Sequence, residues 1–358
     1  MHLVPALFDR NDGIVGGAER YVFELARHMA DVVPTSLVTF GVQDREDRIG
    51  SLRIRVLGHP WHVRGQRSNP FAFRVADEVR QADIVHCHQQ HIVASSFAAI
   101  TARALGRRPY CTDLGGGGFD VSTFVSTDRL YAGHLHISRF SRRVFGHEGK
   151  DWAHVIGGGV DTTRFAPSAS TSRAGTVLFV GRLLAHKGVD TLIRGLPDDV
   201  PARIVGPAPD ARYLNDLRRL AEGKSVSFEH NVDDTALVEA YRSALCVVLP
   251  SVYDDMYGQH TDVPELLGQT LLEGMACGTP GVCTDVASLP EIVRHGETGF
   301  VVPPHDADAM RAAIVRLASD RELARSMGDA AAADVTSRFA WSVVVDECLR
   351  LYGAGTPS

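Results

Sequence analysis

Residues Pro264–Pro280 read PELLGQTLLEGMACGTP, and the fold and the chemistry of this chain are both read outward from them. Two carboxylates, Glu265 and Glu273, lie eight positions apart with Gly268 between them. Pro264 and Gly268 break regular structure, while Gln269 and Thr270 lead into an apolar run, so a helix is predicted to begin near Gln269. Glu265 then stands in the loop ahead of the helix and Glu273 about one turn inside it. Free N–H groups at a helix start, together with the positive end of its dipole, form an anion site. A carboxylate on each side suits a ligand with phosphates in the middle and hydroxyl-rich groups at both ends. A nucleotide-sugar has that shape. Glutamates at such a spacing are common on solvated helix faces; the GMACGTP turn is what sets this pair apart.

Around this helix, short apolar runs alternate with helical patterns. In the first part of the chain strands are predicted at 2–7, 35–40, 53–57, 83–88, 109–112, 135–137 and 153–156. Helices are predicted at 18–29, 71–79, 92–105 and 139–145. The stretch 165–175, FAPSASTSRAG, is small and polar and reads as a linker. Alternation resumes at 177–180 and continues through 299–302, a helix from Ala307 and a last helical pattern over 341–352. Strands alternating with helices indicate parallel, doubly wound sheets. A length of 358 residues suggests two domains rather than one. The predicted fold class is α/β, with two Rossmann-like domains, residues 1–166 and 172–340, and the segment 341–358 packing back near the first. Such domains bind ligands outside the carboxyl ends of their strands, here expected to face each other across a cleft.

Composition narrows the function classes. A net charge of −6 and a pI near 6.2 offer no general attraction for nucleic acid or anionic membrane. Six scattered cysteines without a CxxC pair read as buried free thiols in a reducing compartment, so the expected location is the cytoplasm. No basic flank with an apolar core opens the chain, and no apolar run reaches about 18 residues.

Two further loops carry chemistry. Residues 180–188, VGRLLAHKG, combine a strand end, a glycine turn and two cations five apart, Arg182 and Lys187, before a helix. Fixed cations there stabilise a diphosphate that gains negative charge as it leaves. Near the start, 13–19 reads GIVGGAE, where Gly16 and Gly17 permit close backbone approach to a phosphate, although a tight turn explains them equally. With these motifs in place the chain resembles the retaining GT-B glycosyltransferases of family 4, whose donor motif is Glu, seven residues, Glu and a Met-Ala-Cys-Gly-Thr-Pro turn. The Gly-Gly-x-Glu-Arg opening, the GRL…KG loop, GGGVDTTRF at 157–165 and LPEIV at 289–293 extend the match.

The resemblance implies that Arg182 and Lys187 hold the donor diphosphate and that Glu265 faces the transferred sugar. It also implies that the backbone of Gly268, Gln269, Thr270 and Leu271 adds contacts and that Glu273 accepts ribose hydroxyls. Gly16 and Gly17 would face the donor phosphates. The implied activity is metal-independent, retaining transfer of a hexose-like group from a nucleoside diphosphate donor, UDP or GDP first, to a hydroxyl acceptor. That acceptor would be a small molecule, a saccharide or a lipid-linked species, and no cofactor is implied. A sugar phosphorylase or nucleotide-sugar epimerase of the same fold, or a non-catalytic nucleotide-sugar-binding protein, stay open as alternatives.

The chain departs from the family twice. Gly157–Gly159 replace Pro-Asn-Gly, which would loosen that turn. Thr112-Asp113-Leu114 followed by four glycines stands where many relatives carry a His. Asp113 would serve the acceptor or cap the following turn. His86, Cys87, His88 and His91 mimic a metal cluster, yet on a strand His86 and His88 share a face that Cys87 does not. Asp254-Asp255 reads as a chelating pair or as a surface loop. Residues 59–74, which mix Trp61, Phe71 and Phe73 with Arg64, Arg67 and Arg74, could touch a membrane or form an ordinary exposed loop.

Overall fold

The computed structural model describes residues 1–7, 17–115, 118–168 and 175–353. The chain divides into two compact units, one of Met1–Gly159 with Trp341–Ser358, the other of Val160–Ala340. The sequence pattern groups residues 160–166 with the first domain; the structure places them with the second. Val160 donates to Phe339 O at 2.8 Å, Phe165 meets the Tyr241 ring edge-on, and Arg242 Nε donates to Ala166 O at 2.8 Å. The contacts of these residues, not the small polar run after them, set the boundary.

The first unit holds β1 (His2–Leu7), β2 (Ser36–Gly41), β3 (Arg45–Ile49), β4 (Leu52–Gly58), the short β5 (Trp61–His62) and β6 (Pro70–Phe71), β7 (Ile84–His88), β8 (Arg108–Thr112), β9 (Gly133–His136) and β10 (Ala153–Val155). Eight of them form one sheet in the order β10-β9-β8-β7-β1-β2-β4-β3. All its pairings are parallel except β3 with β4, which corrects the expectation of a wholly parallel sheet. Ile49 faces Leu52 across a two-residue Gly50-Ser51 turn, and the charged REDRI strand forms the sheet edge, where charge discourages further pairing. The predicted helix at 71–79 is also corrected: Phe71 pairs with Trp61, and the helix is Val75–Arg80.

In this unit α1 (Gly17–Ala30) packs on β1 and β2, α2 (Val75–Arg80) on α3 (Val93–Ala104), and α3 on β7 and β8, with α4 (Arg139–Val144) beside β9 and β10. The core gathers Leu3, Val38, Phe40, Val85, Cys87 and Ala98, and each fully buried aliphatic side chain there contributes roughly 1.5–3 kcal/mol.

The second unit contains β11 (Thr176–Val180), α5 (Val189–Gly195), β12 (Ala202–Val205), α6 (Ala211–Leu220), β13 (Val226–Glu229), α7 (Asp234–Ser243), β14 (Ala244–Leu249) and α8 (Gln269–Ala276). After these come β15 (Gly281–Thr284), α9 (Leu289–Ile292), β16 (Gly299–Val302), α10 (Ala307–Ser319) and α11 (Arg321–Phe339). Its sheet is wholly parallel in the order β13-β12-β11-β14-β15-β16. All six residues of β14, ALCVVL, are buried, as expected for a central parallel strand.

The last helix, α12 (Trp341–Tyr352), packs on α1 of the first unit. The Trp341 indole lies where a Cβ on Gly159 would stand, only 2.1 Å from its ring. The third glycine of Gly157–Gly159 therefore serves packing, which corrects the expectation of a merely looser turn. No described helix is long and apolar enough to cross a membrane.

Candidate active site

Strand order in the second unit reverses between β11 and β14, the place where α/β sheets bind ligands. The loop leaving β11 carries Arg182, which is exposed and has no carboxylate within ion-pair distance among the described residues. A single 3₁₀ turn, Ala185–Lys187, then aims Lys187 at the loop leaving β14. There Lys187 Nζ forms an ion pair with Glu265 Oε1 and donates to Pro264 O at 3.2 Å. The two side chains are only 14% and 13% exposed, so the pair is largely desolvated. Ser251 Oγ donates to the same Glu265 Oε1 at 3.2 Å, and Ser288 Oγ donates to Glu265 O at 3.2 Å. Glu265 Oε2 is left without a protein partner among the described residues. Beside Lys187, burial first and the Lys187 charge second push the His186 imidazole below its ordinary range.

The helix after Glu265 starts at Gln269, with Gly268 as its cap in the left-handed region at φ 86°. A side chain there would be strained and would bring a Cβ within 2.8 Å of Leu289, so the turn requires glycine. Gln269 and Thr270 are partly exposed at the first turn. Leu271, expected among the ligand-facing backbone groups, instead donates its N–H to Gly268 O at 3.0 Å and buries its side chain. It closes the turn. Glu273 is buried, and its Oε2 accepts from Tyr241 Oη at 2.9 Å. Thr279 Oγ1 in turn donates to Tyr241 O at 2.7 Å, tying the GTP turn to α7. Four of the expected groups, Lys187, Glu265, Gly268 and Glu273, are thus joined through one loop and one helix.

In the first unit Gly16 lies outside the described residues, and Gly17 opens α1 with clear space where its Cβ would stand. Asp113 follows β8 and is buried. Its Oδ1 accepts from Gly115 N at 2.8 Å and its Oδ2 from Gln90 N at 3.3 Å. Gln89, just before, sits at φ 123°, a conformation that costs a non-glycine residue about 1–3 kcal/mol. Gln90 Nε2 donates to Asp128 Oδ1 at 2.7 Å. Burial alone would raise the Asp128 carboxyl, but the Gln90 and Ser126 donors carry it below its ordinary value.

Both oxygens of Asp113 hold backbone, so Asp113→Asn should turn an amide donor against one N–H. The expected cost is about 1–3 kcal/mol, read as a lower melting temperature. An unchanged melt combined with lost transfer would return Asp113 to a direct role with the acceptor.

Residues 161–334 match the family described as Glycosyl transferases group 1, and residues 15–114 match Glycosyltransferase Family 4. The chain belongs to the group 1 and family 4 glycosyltransferases. An alpha-maltose-1-phosphate synthase of Mycobacterium tuberculosis is 29% identical over 324 residues, 78% of this chain and 80% of that protein. A GDP-mannose-dependent alpha-(1-6)-phosphatidylinositol monomannoside mannosyltransferase of the same species is 33% identical over 249 residues, 64% of this chain and 60% of that protein. Among solved structures, sucrose-phosphate synthase from Thermosynechococcus elongatus aligns with a TM-score of 0.73 at 19% identity over 98% of both chains. Anabaena HepE in complex with UDP and glucose aligns at 0.70 and 19% identity over 99% of both. These likenesses give the enzyme its GT-B fold.

Two groups of this glycosyltransferase could suggest a metal, and each makes hydrogen bonds within the protein. His86 and His88 share a face with His2, one ligand atom of each lying within 4.8 Å of the others, while Cys87 points into the core. His2 Nδ1 is 2.9 Å from His88 Nε2, and His86 bridges Thr112 Oγ1 at 2.8 Å and Tyr352 Oη at 2.7 Å. Asp254 Oδ1 is 2.7 Å from His260 Nδ1, and Asp255 Oδ1 accepts from Tyr257 N and Gln259 N within its own hairpin. Tyr241 and Ser288 were not legible as site residues. Tyr241 is a single aromatic on an amphipathic helix, and Ser288 reaches Glu265 only through the fold. Ser251 had a signal, the Leu-Pro-Ser motif after β14.

Proposed function

We propose that this glycosyltransferase moves a hexose-like group, with retention and without a metal ion, from a nucleoside diphosphate donor to a hydroxyl acceptor. The observation that carries the reading is the Lys187–Glu265–Gly268 arrangement at the strand-order reversal of the second unit. Arg182, Lys187 and the N–H groups at the start of α8 would receive the diphosphate and stabilise the charge it gains when the bond to the sugar breaks. Glu265, through its unpartnered Oε2, would accept sugar hydroxyls, with Gln269 and Thr270 adding contacts. Glu273, held by Tyr241, would accept the ribose hydroxyls. Asp113 would shape the acceptor side by fixing the backbone of Gln90 and Gly115 rather than by touching the acceptor.

Retention rests on the resemblance of the two-glutamate motif to family 4 enzymes. UDP- and GDP-sugars are the donors favoured by the relatives' names, one GDP-mannose-dependent and one bound to UDP and glucose. The acceptor would be a small molecule, a saccharide or a lipid-linked species. Six buried free cysteines support work in a reducing compartment, the cytoplasm.

A thermal-shift panel of UDP-, GDP-, ADP- and TDP-sugars run in excess EDTA tests this reading. One nucleotide class should raise the melting temperature, by mass action at about 2.7 kcal/mol for a ligand at a hundred times its Kd. Transfer should survive the chelator. A shift seen only after Mg²⁺ or Mn²⁺ is restored would overturn metal independence.

A further inference from the structure

Residues 59–74 and 119–125 of the first unit play no part in the chemistry above, yet they share one surface. Trp61, Phe73, Ile100, Val121, Phe124 and Val125 are each more than half exposed. They are joined from below. Trp61 pairs with Phe71 across β5 and β6, and the Phe71 ring meets Phe73 at 4.9 Å and Phe97 at 5.2 Å. Ile100 lies one turn along α3 from Phe97. Phe119 meets Phe124 at 5.8 Å and accepts through its carbonyl from Asn69 Nδ2 at 2.8 Å, which locks the second segment to the first. Asn69 Oδ1 also accepts from Val93 N at 3.2 Å, fixing both segments to the start of α3. Apolar side chains held outward in this way carry a standing hydration cost that folding alone does not relieve.

Charge selects among the occupants such a face could have. The chain carries −6 overall, but residues 59–76 contain Arg64, Arg67 and Arg74 and no Asp or Glu. Arg74 is neutralised by Asp44. Arg64 lies over the Phe119 ring at 3.4 Å, and Arg67 is exposed. The single carboxylate of 118–127, Asp120, is buried and accepts from Ser96 Oγ and Ser122 N. Guanidinium without an ion-pair partner among the described residues, set beside aromatic side chains, matches anionic head groups lying over acyl chains. Pairing of two copies through this face would set the same arginines against one another.

We propose that this face docks the enzyme peripherally on an anionic phospholipid bilayer. The aromatic side chains enter the head-group region, and Arg64 and Arg67 meet lipid phosphates. The inference concerns the first unit alone and stands whether or not the donor assignments hold.

Flotation of the full chain with phosphatidylcholine vesicles, with and without phosphatidylglycerol, tests it. Binding should require the anionic lipid and weaken as salt is raised. The pair Phe73→Ser with Phe124→Ser should lower the bound fraction at least tenfold with an unchanged melting temperature, because both side chains are exposed. Arg67→Glu should weaken binding about tenfold. The proposal is overturned if no binding to anionic vesicles occurs at low salt. Equal binding by the Ser pair overturns it as well. So does a dimer in solution that the Ser pair dissolves while vesicles go unbound, since the face would then serve a second copy.

Discussion

Lys187→Ala should lower turnover by about 10²–10³-fold, the range expected when one preorganised group on a developing anion is removed. The structure adds a sharper expectation for its partner. The ammonium of Lys187 is paired with Glu265, and both groups are mostly out of water. A diphosphate entering here must compete with that carboxylate, whose coupling to a cation about 4 Å away is worth about 4 kcal/mol near a protein surface. Glu265→Gln keeps the shape and the Ser251 hydrogen bond while releasing Lys187. It should therefore bind the free nucleoside diphosphate about tenfold more tightly, a gain of about 1.4 kcal/mol, while losing transfer. Isothermal titration of UDP and GDP against both variants reads this directly. Unchanged diphosphate affinity in Glu265→Gln would show that Lys187 is not the cation the phosphates meet.

Mild acid should destabilise the first unit. Burial holds the imidazoles of His2 and His86 well below their ordinary range and brings His88 to about 3, His134 to about 4 and His136 to about 3. The folded unit keeps these rings neutral, whereas the unfolded chain protonates them near pH 6.5. Their contribution is thus fully present above about pH 6.5 and is lost as pH falls from there toward 3–4. Each extra proton bound by the unfolded chain removes about 1.4 kcal/mol per pH unit, so the stability of the unit should fall steadily as pH drops below about 6.5. All three tryptophans, Trp61, Trp152 and Trp341, belong to this unit, so indole fluorescence isolates its transition. A melting temperature that stays flat from pH 7.5 to 5 would show that the rings titrate as freely folded as unfolded.

Much of the second unit was legible because its signals are local. β14 is an unbroken apolar run, and the start of α8 is marked by Pro264 and Gly268 on one side and Leu271-Leu272 on the other. Arg321–Phe339 escaped reading because its buried face mixes Ala324, Gly328, Ala331 and the charged Asp334 with Met327, Val335 and Phe339, which breaks the apolar stripe. β3 escaped because a charged strand at a sheet edge needs a partner, not a buried face, and its Gly-Ser turn is common elsewhere.

By itself, the sequence determined two doubly wound units, the loops that leave β11 and β14, and the cations and carboxylates those loops carry. Each of these follows from periodicity or from breakers within a few residues of one another. Only the tertiary structure decided that Lys187 spends its charge on Glu265, 78 positions away. It also decided that Tyr241 holds Glu273, 32 positions on, and that His2 joins His88 across 86. Sequence spacing carries no information about such pairs, because loop closure brings distant segments together at a cost that grows only with the logarithm of their separation. Which charge meets which is therefore settled by strand order and packing.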